Sequence, residues 1–345
     1  MKAIPHQYVE RETGRICTEK LIGDKAIQLL YSVAREKAPL VFRALTSARI
    51  SSLIASARYD SSVHDWTKVS MQRCGLDLSE CIDSQKLNTA RKIFERKIRY
   101  WEYRPMPEDN GSVVSPADAR CIVGSLRKTS RLFIKDKFFS LEELVGTDKP
   151  KWIDAFLTAD FAIFRLTPEK YHYNHTPVAG QVVDIYEIPG GYHSCNPGAV
   201  VTVVTPFSKN KRVVTVIDTD VQNGTGVGLV AMIEIVALMI GDIVQAYSET
   251  RYENPSHVTV GMFLNKGLPK SLYRPGSSTD VLLFQEGRIR FSEDLVRNMH
   301  LSGVHSRFSQ GFGQPLVETD LKVRSIVGTG AMTQGDATAF DVAAG

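Results

Sequence analysis

Hydrophobic positions follow two grammars along the chain, with the change near residue 105. In the first stretch Ile27, Leu30, Tyr31 and Ala34 recur at i, i+3, i+4 and i+7, which puts them on one face of a helix. Pro39 interrupts this stripe; Leu40, Val41, Phe42 and Leu45 resume it, and Ile50, Leu53, Ile54 and Ala57 form another. Lys86 to Trp101 predicts a third helical stretch, carrying Arg91, Lys92, Arg96, Lys97 and Arg99. Residues 1–105 are therefore expected to be helical. At Arg104-Pro105-Met106-Pro107 the pattern stops, because proline lacks an amide donor and biases the preceding residue away from helix. Beyond it, short β-branched runs predict strands at Val113-Val114, Gly180–Ile188, Val200–Val204, Arg212–Ile217, Val258–Leu264 and Asp280–Phe284. Turn signals such as Pro189-Gly190-Gly191, Asn196-Pro197-Gly198 and Asn223-Gly224 separate them. Gly228–Val244 fits a buried helix or buried strands equally by periodicity; Gly241 and the β-branched content favour strands. The expected fold is α+β: N-terminal amphipathic helices, a mostly antiparallel β core over 106–328, and a loose Gly/Ala/Thr-rich tail over 329–345.

Composition changes this picture little; charge changes it more. The chain has 345 residues, 43% hydrophobic and 23% charged, enough for a sizeable core in two domains or one large one. A net charge of +4 is too small to mark a nucleic-acid binder, so no nucleic-acid partner is expected. Residues 1–105, however, hold 19 basic against 12 acidic side chains, and the remainder 23 against 26. Arg35, Lys37, Arg43, Arg49 and Arg58 interleave with the apolar stripes. Such helices either dock on their own domain or lie on an anionic membrane surface. No apolar run is long enough to span a bilayer, and Met1 to Lys20 has no apolar signal region. A cytoplasmic protein, at most peripheral to a membrane, is expected. The five cysteines form no CxxC pair, which argues against a thiolate zinc site and fits a reducing compartment.

Three segments carry candidate chemistry. Ser115-Pro116-Ala117-Asp118-Ala119-Arg120 places an aspartate in a turn next to a strand, where it could equally be a turn cap. Tyr171-His172-Tyr173-Asn174-His175-Thr176-Pro177 holds two histidines three apart. They suit proton transfer better than a metal, since no HExxH or nearby carboxylate supplies further ligands. Arg274-Pro275-Gly276-Ser277-Ser278-Thr279 is a Gly-Ser turn leading into the strand Asp280–Phe284. In order, Asp118, His175 and Ser277 make an acid–histidine–serine set. The serine sits in no GxSxG elbow, which argues against a serine hydrolase. A different use fits the turn: the Ser277 hydroxyl attacks the unhindered carbonyl of Gly276, an N→O acyl shift. Elimination from the resulting ester and hydrolysis then leave a pyruvoyl group.

These residues resemble the phosphatidylserine decarboxylase family, pyruvoyl enzymes made from a self-cleaving proenzyme. The resemblance runs in order from about residue 25 to 328. It includes Cys74-Gly75-Leu76-Asp77-Leu78-Ser79-Glu80, and Ser115-Pro116-Ala117-Asp118 for the family's "SPADG". Phe139-Ser140-Leu141-Glu142-Glu143-Leu144, Tyr171–His175 for "YHR.H", Asn196-Pro197, and Lys266-Gly267 with Gly276-Ser277-Ser278-Thr279 complete it. The resemblance implies that Asp118 orients His175, which deprotonates Ser277. The products would be a β chain of residues 1–276 and an α chain of residues 277–345, the latter capped by pyruvoyl derived from Ser277. It implies that this ketone serves as electron sink for decarboxylation, and that His172 assists that step or protonates the product carbanion with a pKa near neutrality. It implies too a homodimer of cleaved αβ units, and a phospholipid or amino-acid substrate. Departures are Ala119 for the glycine of "SPADG", and Lys266–Gly276 for "KG.EMG.F..G", which loses the glutamate, the methionine and the second glycine. Phosphatidylserine on an anionic membrane surface is the leading expectation. A free L-amino acid, aromatic ones included, is the alternative, and a non-catalytic lipid-binding relative the third.

Overall fold

The computed structural model describes residues 5–21, 24–31, 37, 38, 40, 42, 45, 46, 76–127, 138–203, 205–238, 242–276 and 278–331. Its strands are β1 (Gln7–Glu10), β2 (Ile16–Thr18), β3 (Ser112–Val114), β4 (Ala119–Ser125), β5 (Asp160–Leu166), β6 (Tyr173–His175), β7 (Gly180–Ile188) and β8 (Arg212–Asp218). They continue with β9 (Leu229–Val236), β10 (Ile243–Gln245), β11 (Phe263–Leu264), β12 (Pro269–Tyr273), β13 (Ser278–Phe284), β14 (Ile289–Phe291), β15 (Glu318–Leu321) and β16 (Ile326–Gly330). A ten-stranded sheet runs β11-β7-β8-β9-β13-β5-β4-β15-β1-β2, beside two three-stranded sheets, β10-β12-β6 and β14-β16-β3. Among the described strand pairs only β1 with β15 is parallel. The fold is α+β, with far more sheet than helix.

The large sheet is covered on both faces, which explains why its central strands carry unbroken apolar runs. On β13, Leu282 and Phe284 join the core that also contains Val230, Met232 and Phe164. Val281 and Leu283 join the opposite core with Ile233, Trp152, Phe156 and Phe308, to which the helices Leu141–Val145, Pro150–Phe156 and Arg307–Phe312 contribute. Gly228–Val244 resolves into β9 and β10 for the same reason: alternate side chains of β9 enter different cores.

The expectation of helix throughout the first third is corrected. Residues 7–18 form a β-hairpin that extends the large sheet. Burial of Val9 between more exposed neighbours marks a strand, and a buried ion network fastens it: Arg165 bonds both Glu19 and Glu318, and Glu318 also holds His6 at 2.7 Å. The Lys86–Trp101 helix is also broken, into Ala90–Phe94 and Tyr100–Tyr103. Ile98 forms a bridge with Cys81 and buries beside Tyr171 and Leu272, which an uninterrupted helix would not allow. The strand expected at Val200–Val204 is not formed among its described residues: Val200 ends a helix, Pro197–Val200, and a turn follows it. Asn196 caps its first turn through Gly198 N–H, and Pro197 takes a first-turn position where no amide is needed. Of Val258–Leu264 only Phe263–Leu264 is strand.

The helical stripe at 27 is present in the short helix Asp24–Leu29. Ile27, Leu30, Tyr31 and Phe42 pack against Ala199 and Val203, so this part of the apolar face docks on the protein itself. The Ile50–Ala57 stripe, Cys74 and most of the 329–345 tail lie outside the described residues. Among the described residues no helix is long and apolar enough to cross a membrane.

Candidate active site

Asp118 ends the Ser115–Asp118 turn that feeds β4. Ser115 Oγ donates to the Ala117 carbonyl at 2.7 Å, and its amide to Ser325 at 2.8 Å, so the turn is stitched on both sides. The Asp118 carboxylate accepts Arg104 Nε at 2.9 Å, Arg104 Nη2 at 2.7 Å and the Val323 amide at 2.8 Å. Burial alone would raise its pKa, but the Arg104 charge and hydrogen bonds outweigh it and hold the carboxyl well below the usual range. Arg104 also reaches Glu80, so one guanidinium serves two carboxylates. Ala119 replaces the family glycine without strain, because it is the first residue of β4 and its φ is not positive.

His175 lies on β6 with its ring edge-on to Tyr100. Its Nδ1 is 2.9 Å from the Gly267 carbonyl, which can only accept, so Nδ1 carries the proton and donates. Nε2 is then the free base, and it accepts the Tyr171 hydroxyl at 3.0 Å. Burial lowers the His175 pKa to about 3, so the ring is neutral at pH 7. Gly267 is needed for this arrangement: its φ is +76°, and a Cβ there would stand 2.2 Å from Met106 Sδ.

His172 is fully buried and stacks on Phe94 with ring centroids 3.5 Å apart. Neither ring nitrogen has a hydrogen-bond partner among the described residues. The expectation of a near-neutral pKa is corrected here. Burial, reinforced by the Arg96 charge, pushes it well below the ordinary histidine value.

The segment expected to be cut lies between β12 and β13 in the chain. Its Gly276 has φ +151°, a conformation that side-chain-bearing residues rarely adopt, and Ser277 lies outside the described residues. Immediately after it, Ser278 Oγ, Thr279 Oγ1 and Asp280 Oδ2 are buried and have no hydrogen-bond partner among the described residues. β6 and β12 run antiparallel: His175 faces Pro269, while the Tyr273 amide donates to the His172 carbonyl at 3.0 Å. The turn therefore departs from the His172 end of the ladder. Asp118 and His175 are brought close in the chain's packing, the His175 amide donating to Pro116 at 2.7 Å. Their side chains bond elsewhere: Arg104 holds the acid, and Gly267 and Tyr171 hold the histidine. Sequence reasoning missed Arg104, Tyr171 and Gly267 as partners. Tyr171 and Gly267 stand in segments already singled out, whereas nothing local links Arg104 to Asp118.

The comparisons with known proteins bear on the same residues. The phosphatidylserine decarboxylase family model matches residues 90–314, which include Asp118, His172, His175, Gly276 and Ser277. The chain belongs to the phosphatidylserine decarboxylase family. A phosphatidylserine decarboxylase proenzyme of Fusobacterium nucleatum is 28% identical over 295 residues, 85% of this chain and 91% of its own. The proenzyme of Chlamydia felis is 27% identical over 333 residues, covering 90% and 99%. In rice, phosphatidylserine decarboxylase proenzyme 2 is 32% identical over 228 residues, 65% of this chain and 34% of that one. Membership makes the chain a carboxy-lyase by family, and the relatives' names make them precursors.

Proposed function

We propose that this decarboxylase converts phosphatidylserine to phosphatidylethanolamine and CO2 after cutting itself between Gly276 and Ser277. The observation that carries the reading is that one family match contains the buried Asp118, the two buried histidines and the Gly-Ser turn in the required order. In the cut, the Ser277 hydroxyl attacks the Gly276 carbonyl carbon while His175 Nε2 takes its proton, and the Ser277 nitrogen leaves that carbon to give an ester. Gly267 supports this role by fixing the tautomer, and the Asp118–Arg104 pair lies behind the histidine as a fixed local field. Loss of the ester's carboxylate by elimination, then hydrolysis with release of ammonia, leaves the pyruvoyl group. Its fit is supported by buried polar atoms near the turn that have no partner among the described residues, His172 Nδ1 and Nε2 and Ser278 Oγ. Once present, such a ketone supplies an electron sink for the departing carboxylate. His172, neutral and at the turn end of the ladder, is the residue we assign to protonating the substrate α-carbon, one ring nitrogen handing over its proton as the other takes one from water.

The working enzyme is proposed to act on the cytoplasmic face of an anionic membrane, with its basic N-terminal third toward the lipid, as a homodimer of cleaved pairs. Intact mass of the purified protein is expected to show chains 1–276 and 277–345, and CO2 release is expected from phosphatidylserine vesicles that the protein also binds in flotation. A cut one residue later would move the nucleophile to Ser278. CO2 from free amino acids alone, without vesicle binding, would overturn the lipid substrate; the Pro269-Lys270-Ser271 departure favours that second reading.

Both histidines are held below their ordinary pKa, so the basic form is full across the neutral range. The self-cleavage rate of freshly translated precursor should be flat from about pH 5 to 8, where an unperturbed histidine near 6.5 would give a sigmoid. His175→Ala should block the cut, and His172→Ala should leave it while CO2 release falls by roughly 10²-fold or more. The reverse pattern would exchange the two roles.

A further inference from the structure

The layer between the large sheet and the β10-β12-β6 sheet holds charged groups that the reaction as proposed does not use. Glu234 on β9 and Asp280 on β13 face each other in register. Lys270, Ser271 and Tyr273 reach in from β12, and all five are fully buried. Lys270 Nζ lies 2.7 Å from Glu234 Oε2 and 3.0 Å from Gln245 Oε1. Ser271 Oγ and Asn174 Nδ2 donate to the other oxygen of Glu234. Glu234 is thus fully paired, and Lys270 is committed to it.

Asp280 is arranged differently. The Tyr273 hydroxyl accepts the Ile235 amide at 2.9 Å and lies 3.0 Å from the Thr279 carbonyl and 2.7 Å from Asp280 Oδ1. A phenol has one proton, and a carbonyl can only accept. If that proton goes to Thr279, the 2.7 Å contact is a bond only when Asp280 carries its own proton and donates it to Tyr273. With Asp280 neutral every short contact is satisfied; with it ionised, two acceptors compete for one proton opposite a second carboxylate. Burial and the facing Glu234 charge push the Asp280 pKa in the same direction, well above the ordinary value.

We infer that Tyr273 and Asp280 form a clamp across the cleavage turn, positioning the residue-277 end of one mature chain against the residue-276 end of the other. This rests on the cut proposed above. β12 and β13 belong to different sheets, so no ladder joins them, and after cleavage no peptide bond does either. Tyr273 would lie on one chain and Thr279 and Asp280 on the other, so the hydroxyl contacts outlast the bond. The family segment quoted above has phenylalanine at this position, so the hydroxyl is a departure from that segment and occurs here together with a buried acid.

The test uses the full chain with Tyr273→Phe, Asp280→Ala and Asp280→Asn. Tyr273→Phe and Asp280→Ala should each slow self-cleavage and lower kcat by about 10-fold or more, with KM within about twofold of wild type. Asp280→Asn keeps a neutral donor to Tyr273 and should restore both rates to within about twofold. Infrared spectra at pH 7 should show a protonated-carboxyl C=O band that disappears in Asp280→Asn, a readout independent of activity. A wild type lacking that band, an Asp280→Asn as impaired as Asp280→Ala, or a Tyr273→Phe with normal kcat would overturn the clamp. An uncut wild-type chain would instead overturn the cleavage reading, and the bridging role with it.

Discussion

Ser277→Ala is expected to yield one uncut chain of 345 residues with no decarboxylase activity. The effect is all-or-none because two functions fall on one residue. In the proposed reaction Ser277 Oγ is the nucleophile that opens the chain, and the same residue becomes the ketone on which decarboxylation depends. No encoded side chain offers an equivalent electrophile, so residual activity of the kind left when a triad member is removed from a hydrolase has no source here. Ser278 makes the measurement informative as well as negative. Its hydroxyl is buried, lacks a partner among the described residues and stands one residue further on. Intact mass and CO2 release from phosphatidylserine vesicles read the outcome together: an uncut, inactive protein supports Ser277, and a cut after residue 277 with activity retained would assign the chemistry to Ser278.

Arg104→Met is expected to cost about 3–5 kcal/mol of stability at pH 7, because it strands a buried carboxylate rather than deleting a pair. Asp118 loses two of its three hydrogen bonds and keeps only the Val323 amide, while Glu80 loses both of its contacts with Arg104. The pH dependence has a definite sign. In the native protein the Asp118 pKa is depressed, so its stabilisation is complete above the unfolded value of about 3.9 and is lost as pH falls through the lower native one. Without Arg104, burial dominates and raises that pKa, so the penalty should grow as pH climbs from about 4 toward 7. Urea unfolding at both pH values checks this, and the Ser277→Ala background keeps the transition that of one chain. Arg99→Met, which breaks an exposed pair with Glu102, is the control and should change little. Equal penalties at the two pH values would show that the loss is one of packing rather than of charge.

The segments that carry chemistry were legible in the chain because their chemistry is local. A glycine before a serine, two histidines three apart and an aspartate after Ser-Pro-Ala can be read wherever they fold, and their order placed the chain in its family. Strands β7, β8, β9 and β13 were legible too, since long apolar or alternating runs leave few other options. The N-terminal hairpin was not. Val9 is buried because it packs with Val304 and Val317, some three hundred residues away, on a strand paired with β15. The break in the Lys86–Trp101 helix has the same origin, since Ile98 answers to Cys81 and Tyr171 rather than to its neighbours.

The sequence by itself determined which groups could react: a serine to be converted, histidines to move protons, an acid to be held charged. Only the tertiary structure decided their protonation. His172 is neutral because Phe94 and the surrounding core exclude water from it. Asp118 is ionised because Arg104 turns toward it, and Asp280 is neutral because the nearby lysine is spent on Glu234. Residue type sets which proton can move, but burial and the nearest charge set where it rests. Both are properties of contacts between residues far apart in the chain, and no spacing rule records them.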